Sequence, residues 1–182
     1  MNRFFILSSV LVCLTATSAI AQSDKYEVDP VHSSVVFGVK HSNVNSVHGL
    51  FSDIKGHFSA DDKGTFDVSV GVDSINSGNE GRDKHLKSPD FFSAKQYPRV
   101  QFKSKSAKSI EGGVEIQGEV TMRGITKPIV AKMKMAKGKG RDGGPIAGLE
   151  GSFTVKRSDF KLGGPGLGDE VTIMVSLQGK KK

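Results

Sequence analysis

Residues 66–73 read Phe66-Asp67-Val68-Ser69-Val70-Gly71-Val72-Asp73, with apolar residues at every second position. A strand points successive side chains to opposite faces, so this stretch has one dry face and one wet face. The same period recurs on both sides. Val35, Phe37 and Val39 alternate with Ser34, Gly38 and Lys40, and Val100 and Phe102 with Arg99, Gln101 and Lys103. Val114, Ile116, Val120 and Met122 alternate with Glu115, Gln117, Glu119 and Thr121. Ile129, Ala131, Met133 and Met135 follow, then Leu149, Phe153 and Val155, and finally Val171, Ile173, Val175 and Leu177. With the stretch around Phe51, Ile54 and Phe58, these segments predict about eight strands.

Most connections are short and rich in turn residues: Asp61-Asp62-Lys63-Gly64, Glu111-Gly112-Gly113, and Gly138 to Gly144. They favour antiparallel neighbours. Pro30, Pro98 and Pro128 precede apolar runs, and Pro89, Pro145 and Pro165 fall in turn-like stretches, so no central strand is expected to lose a ladder donor. One segment reads as helical, from about Asn79 to Phe92. There Asp83 and Lys87 have i,i+4 spacing, Ser88-Pro89 can start a further turn, and Phe91-Phe92 supply apolar contact. Eight half-wet antiparallel strands bury their dry faces and remove their edges by closing on themselves. The expected fold is all-β: an antiparallel, eight-stranded closed barrel with one short helical segment.

The chain has 182 residues, 26 Lys+Arg, 19 Asp+Glu and one Cys. Arg3 precedes an apolar run from Phe4 to Leu14 and the triplet Ala19-Ile20-Ala21, the pattern of a secretory signal peptide cleaved after Ala21. Residues 22–182 would then form one exported domain, periplasmic or secreted. Loss of Arg3 lowers the formal net charge from +7 to +6. No later stretch approaches the roughly 20 apolar residues of a membrane helix. Cys13 lies inside the apolar run, which leaves the exported domain without a thiol and excludes disulfides, cysteine catalysis and zinc-thiolate sites. Val12 before it is not the small residue that a lipoprotein signal places there.

Small residues at dry positions, namely Gly49, Gly118, Ala131 and Gly151, have two readings. They leave room for an elongated apolar cavity, or they bend the sheet.

Several motifs resemble the YceI-like family of secreted polyisoprenoid-binding proteins. In order they are Asp29-Pro30-Val31-His32-Ser33, Val47-x-Gly49-x-Phe51, Arg82-Asp83-Lys84-His85-Leu86, Ser88-Pro89-Asp90-Phe91-Phe92, Tyr97-Pro98-Arg99-Val100-Gln101-Phe102, and the run Gly118 to Pro128. The resemblance covers about Tyr26 to Gln178. It implies a lipocalin-like barrel that holds an isoprenoid or similar long-chain amphiphile for transport, storage or sequestration. Val120 stands where the family usually has Leu, and Lys161 where it usually has Gly.

The parity of the strands places the expected cavity wall at Val35, Phe37, Val39, Phe51, Phe58, Val68, Val70, Phe102, Ile116, Gly118, Val120, Ala131, Met133, Gly151, Phe153, Ile173 and Val175, with Phe91 and Phe92 from the helical segment. Arg82, His85, Arg99, Arg123 and Lys127 are the candidates for a polar or phosphate head group. The alternative use of these cations is solubility.

Catalysis has weaker support. His32, His41, His48, His57 and His85 show neither the i,i+4 nor the i,i+2 spacing of a metal pair, and no metal is expected. Arg82, Asp83 and His85 are a charged cluster that reads as a structural plug without an obvious nucleophile. The protein is therefore expected to be a binding protein, not an enzyme, with a bound lipid as its only ligand and no cofactor; an enzyme or stress-response factor acting on such a lipid, or a filled-core interaction barrel, is the alternative. The positive charge is diffuse and the aromatic content is 7%, which argues against nucleic acid. An anionic membrane surface is a partner that this charge could serve. Lys180-Lys181-Lys182 reads as a frayed basic end.

Overall fold

A computed structural model of the chain describes residues 24–61 and 65–182. The expected signal segment and residues 62–64 of the Asp61–Gly64 turn lie outside the described residues. Eleven strands and one helix follow in order: β1 (Lys25–Val28), β2 (Ser34–His41), β3 (Asn45–Phe51), β4 (Ile54–Ser59), β5 (Phe66–Gly71), β6 (Ile75–Asn76), α1 (Glu80–Lys87), β7 (Arg99–Ile110), β8 (Gly113–Met122), β9 (Ile125–Lys139), β10 (Pro145–Lys156) and β11 (Leu167–Lys181).

These segments make eight barrel strands, because the first three strands are each broken midway. β1 with β2, β3 with β4, and β5 with β6 are consecutive halves. The halves pair antiparallel as β1 with β4 and β2 with β3, then as β4 with β5 and β3 with β6. β5 pairs with β7, and β7 to β11 continue as an unbroken meander. Both halves of the first strand pair with β11, which closes the barrel. The expected fold class is the one observed.

The breaks have local causes. In Asp29-Pro30-Val31-His32-Ser33 the Asp29 carboxylate accepts from Val31 N at 3.0 Å and contacts His32 Nδ1 at 3.0 Å, while Ser33 Oγ donates to Asp29 O at 2.7 Å. Proline at the first position of this 3-10 turn fixes its φ, so the motif turns the chain between β1 and β2. At the second break Gly71 N donates to Asp53 O at 2.8 Å, and Ser52 N donates to Ser74 Oγ at 3.1 Å. In β7 a bulge between Ser104 and Ser106 frees Ser104 Oγ to accept from Phe66 N at 2.9 Å.

Three expectations are corrected here. Pro128 lies inside β9, opposite Glu119 of β8. β9 pairs with β10 only from Lys132 to Lys139, so at Pro128 one edge of the strand has no neighbour and the missing N–H costs no ladder bond. The C-terminal lysines are not frayed: Lys180 and Lys181 extend β11, Lys181 Nζ reaches Asp24 Oδ1 at 2.7 Å, and Lys182 pairs with Glu27. The helix is also shorter than expected. Asn79 caps it by accepting from Arg82 N at 2.9 Å, and the chain leaves the helix at Ser88 and enters a turn that presents Phe91 and Phe92 inward.

One end of the barrel is closed. Tyr26, Phe58 and Phe66 stand opposite one another on β1, β4 and β5, with 2%, 0% and 2% of their surfaces exposed, and the Tyr26 and Phe58 rings stack at 6.0 Å. On β11, the strand beside β1, Gly179 pairs with Val28 on one side and Ala147 on the other, and a Cβ on Gly179 would come within 2.8 Å of Tyr26 Cβ and 2.9 Å of the Phe58 ring. Large rings packed against the small residues of the adjoining strands form a continuous floor. The other end is framed by the β2–β3 turn, the 77–98 segment that carries α1, and the β10–β11 loop.

Candidate functional site

Between floor and rim lies a chamber of about 860 Å³. Its wall is the inward parity of the strands: Val35, Phe37 and Val39 of β2, Phe51 of β3, Val68 and Val70 of β5, Phe102 of β7, Ile116 and Val120 of β8, Ala131 and Met133 of β9, Phe153 of β10, and Ile173 and Val175 of β11. Phe91 and Phe92 line it from the turn after α1, and Phe66 from below. Phe51 and Phe92 meet edge to face at 5.8 Å, which joins the turn to the barrel wall.

Three expected wall residues lie elsewhere. Phe58 belongs to the floor, fully buried behind Phe66. Gly118 and Gly151 have the inward parity, but neighbours already fill the space above them. A Cβ on Gly118 would meet the Phe102 ring at 2.5 Å, and one on Gly151 would meet Met133 Sδ at 2.5 Å. Gly49 accommodates Phe37 in the same way, at 2.4 Å. These glycines add no empty volume; they let large cross-strand neighbours lie against the wall, and Gly118 also stands opposite Ser104, where the register of β7 shifts. Ala131 is the one small residue of the set that borders the chamber.

Charged lining gathers at the open end: Arg82, His85, Asp90, His41 and Arg157. Arg82 Nε donates to Ser77 Oγ at 2.8 Å and Arg82 NH2 to Ser77 O at 2.7 Å, while Ser77 N and Oγ donate to Asp83 Oδ1 at 2.8 and 2.5 Å. Ser77 thus ties the start of α1 to β6 and aims the Arg82 guanidinium across the rim. His85 sits edge-on to Phe91 at 4.8 Å, with Nε2 3.6 Å from Asp90 Oδ2. The β10–β11 loop is clipped by Arg157, which donates to the carbonyls of Leu162, Leu167 and Gly168 at 2.7, 3.0 and 3.0 Å. Asp169 accepts from Ser158 N and Oγ at 3.0 and 2.9 Å, and those bonds hold its carboxyl below the ordinary value.

Of the expected head-group residues, Arg82 and His85 line the chamber and three do not. Arg99 donates to Asp53 Oδ2 at 2.6 Å and to Ser69 Oγ and O at 2.9 and 3.0 Å. Arg123 donates to the Lys161 carbonyl, and Lys127 lies 3.8 Å from Asp159. These three hold strands and loops together. Within the Arg82, Asp83 and His85 cluster, Asp83 accepts from Ser77, while His85 lies beside Asp90 and Phe91. The remaining histidines are dispersed: His32 sits on Asp29, His48 covers Gly38, and burial together with Lys25 lowers the pKa of His57. Among the described residues no three His, Cys, Asp or Glu side chains converge as a metal site. Sequence reasoning missed Asp90, His41 and Arg157 at the rim. Asp90 lay within a quoted motif and His41 was weighed only as a metal ligand, while Arg157 directly precedes the stretch that ends at Lys161; none of the three was assigned to the rim.

An eight-stranded meander closed around an apolar-walled chamber, sealed at one end and rimmed with polar groups at the other, has the architecture of the lipocalin-like barrels. The YceI-like domain matches residues 26–179, and the chain belongs to that family. A UPF0312 protein of Pseudomonas paraeruginosa is 34% identical over 174 residues, which cover 91% of this chain and 90% of the relative. Protein YceI of Escherichia coli is 32% identical over 182 residues, 95% of this chain and 94% of the relative. Among solved structures, BcnA of Burkholderia cenocepacia superposes with a TM-score of 0.75 at 22% identity, covering 83% of this chain and 98% of BcnA. A polyisoprenoid-binding domain from Saccharophagus degradans superposes with a TM-score of 0.67 at 12% identity, covering 88% and 100% of the two chains.

Proposed function

We propose that the protein is a carrier for a long-chain amphiphilic lipid of the isoprenoid class, exported to the periplasm or beyond after removal of residues 1–21. The observation that carries this reading is the chamber. A barrel of this size can fill its interior with side chains, yet the side chains of this one leave a chamber of about 860 Å³ between apolar walls. Water gains few hydrogen bonds from Val, Ile, Leu and Phe, so an apolar chain is the occupant that such walls favour. At the rim Arg82 offers a guanidinium to an anionic or hydroxylated head group, with His85 as a second donor. The fold shared with the Saccharophagus degradans domain supports the same choice.

The competing reading, an enzyme acting on such a lipid, lacks a paired nucleophile and base at the rim. The test is uptake. Delipidated protein incubated with polyprenol-containing vesicles and then separated from them should carry about one polyprenol per chain, and transfer should fall several-fold in Arg82→Ala with the fold intact. Protein that returns from the vesicles without polyprenol overturns the proposal.

A further inference from the structure

β9 and β10 separate before they reach the rim. Their ladder runs from Pro145 opposite Lys139 to Ser152 opposite Lys132 and stops there, although β9 stays paired to β8 as far as Ile125 and β10 to β11 as far as Lys156. A wedge therefore opens in the barrel wall between residues 125–131 and 153–156. The chamber lies directly behind it, since Ile129 of β9 and Phe153 and Val155 of β10 all line that space.

Side chains fill the wedge where a ladder is missing. The chain leaves β10 into the 3-10 turn Arg157–Phe160, and Phe160, 1% exposed, packs with Leu162 against Val120, Met122 and Val155, with Ile125 and Ile129 beside them. This plug is fastened unequally. At its base Ser158 is bound to Asp169, and Arg157 holds the carbonyls of Leu162, Leu167 and Gly168. At its far end Gly163, in the left-handed region at φ 69°, donates from N to Asp90 O at 2.9 Å. Toward β9 two polar contacts hold it: Arg123 donates to the Lys161 carbonyl, and Lys127 Nζ lies 3.8 Å from Asp159 Oδ1. The Lys127 and Asp159 side chains are 41% and 47% exposed, and an ion pair so open to water contributes little. Among the described residues no backbone hydrogen bond joins residues 157–162 to β9.

We propose that the wedge between β9 and β10 is a lateral portal to the chamber, with residues 158–162 as its door and Phe160 as the plug. The door swings away from β9 between two fixed ends, Arg157 and Gly163, and opening it breaks the two contacts to β9 while every strand pairing of the barrel is kept. The route over the rim is less favourable to an apolar chain. There the β10–β11 loop presses on the turn after α1, so that a Cβ on Gly163 would meet the Phe91 ring at 2.6 Å, and Arg82, His85 and Asp90 stand in the way. Through the wedge the chain meets Ile129, Phe153, Val155 and Leu162. The inference rests on the proposed carrier function and adds to it the path by which the chamber is loaded.

The test locks the door. Lys127→Cys and Asp159→Cys are introduced together into the exported protein, which has no other thiol once Cys13 is removed with residues 1–21, and the pair is bridged by a short bifunctional methanethiosulfonate that dithiothreitol cleaves. Delipidated protein is mixed with polyprenol-containing vesicles, and loading is followed in time by native mass spectrometry. The bridge should slow loading by about tenfold or more, dithiothreitol should restore the rate, and final occupancy should be equal in both states. Lys134→Cys with Glu150→Cys is the control, since these residues face each other where the ladder is intact, and a bridge there should leave the rate unchanged. Phe160→Ala without a bridge should load several-fold faster, with thermal unfolding to report that it is folded. Equal rates with and without the 127–159 bridge overturn the portal and assign entry to the rim, and an equal slowing by the control bridge overturns it too. A folded Phe160→Ala protein that loads no faster overturns the role of the plug. Protein that takes up no polyprenol in any state overturns the carrier function instead, so the two failures are distinguishable.

Discussion

The Phe37 ring lies over Gly49 on the neighbouring strand, so close that a Cβ on the glycine would come within 2.4 Å of Cζ. The two residues are opposite each other in the β2–β3 register. Gly49→Ala should therefore push the Phe37 ring into the chamber and destabilise the protein by about 1–3 kcal/mol through overpacking. Combining it with Phe37→Leu should recover much of that loss. A double-mutant cycle by urea unfolding checks this, and simple additivity would show that the ring does not depend on the glycine.

The Arg99–Asp53 pair predicts a pH dependence. Arg99 holds the Asp53 carboxyl below its ordinary value of 3.8. A carboxylate with a depressed folded pKa contributes stability that is fully present above its unfolded value and is lost as pH falls through the folded one. Asp53→Asn should thus cost on the order of 1 kcal/mol at pH 7, since both partners are partly exposed, and the difference from wild type should shrink toward zero below about pH 3.8. Chemical denaturation at a series of pH values measures it. A gap that persists at low pH would mean that the pair does not act through its charge.

Lys161 ends the 3-10 turn at φ 56°, ψ 39°, in the left-handed region. That backbone costs a lysine of the order of 1 kcal/mol and a glycine almost nothing, while the Lys161 carbonyl that accepts from Arg123 is kept by any residue. Lys161→Gly is expected to raise stability by about 0.5–1 kcal/mol, read as a rise in Tm. A fall in Tm would show that the side chain contributes something that its exposure hides.

Ser77 is both acceptor for Arg82 and donor to Asp83. Ser77→Ala should cost about 1–2 kcal/mol of local stability and leave the Arg82 guanidinium without its anchor. Hydrogen exchange over Glu80–Lys87 should speed up while β7 to β11 stay protected. Uniform protection across α1 in the variant would show that the node is dispensable.

Much of this architecture was legible in the chain because alternation is a local signal. Val68 and Val70, or Ile173 and Val175, declare their face by parity alone, and the chamber wall follows once the strands are counted. What was not legible depends on partners distant in sequence. Arg99 looks free until Asp53, 46 residues away, is brought beside it, and Arg123 until the Lys161 carbonyl, 38 residues away, folds over it. Gly118 and Gly151 point inward as parity requires, but the identity of what fills their space is a property of the neighbouring strand. Pro128 is tolerated inside β9 only because β10 has diverged at that level, which strand counting does not reveal.

The central claim is that the chamber is built for an apolar chain. Native mass spectrometry of the protein purified from its own cells without detergent tests it most directly. The account predicts a mass above that of residues 22–182 by one lipid, released as collision energy rises and identified by fragmentation as a polyprenyl compound. A mass equal to the bare polypeptide, in protein that also takes up no added polyprenol, would contradict it.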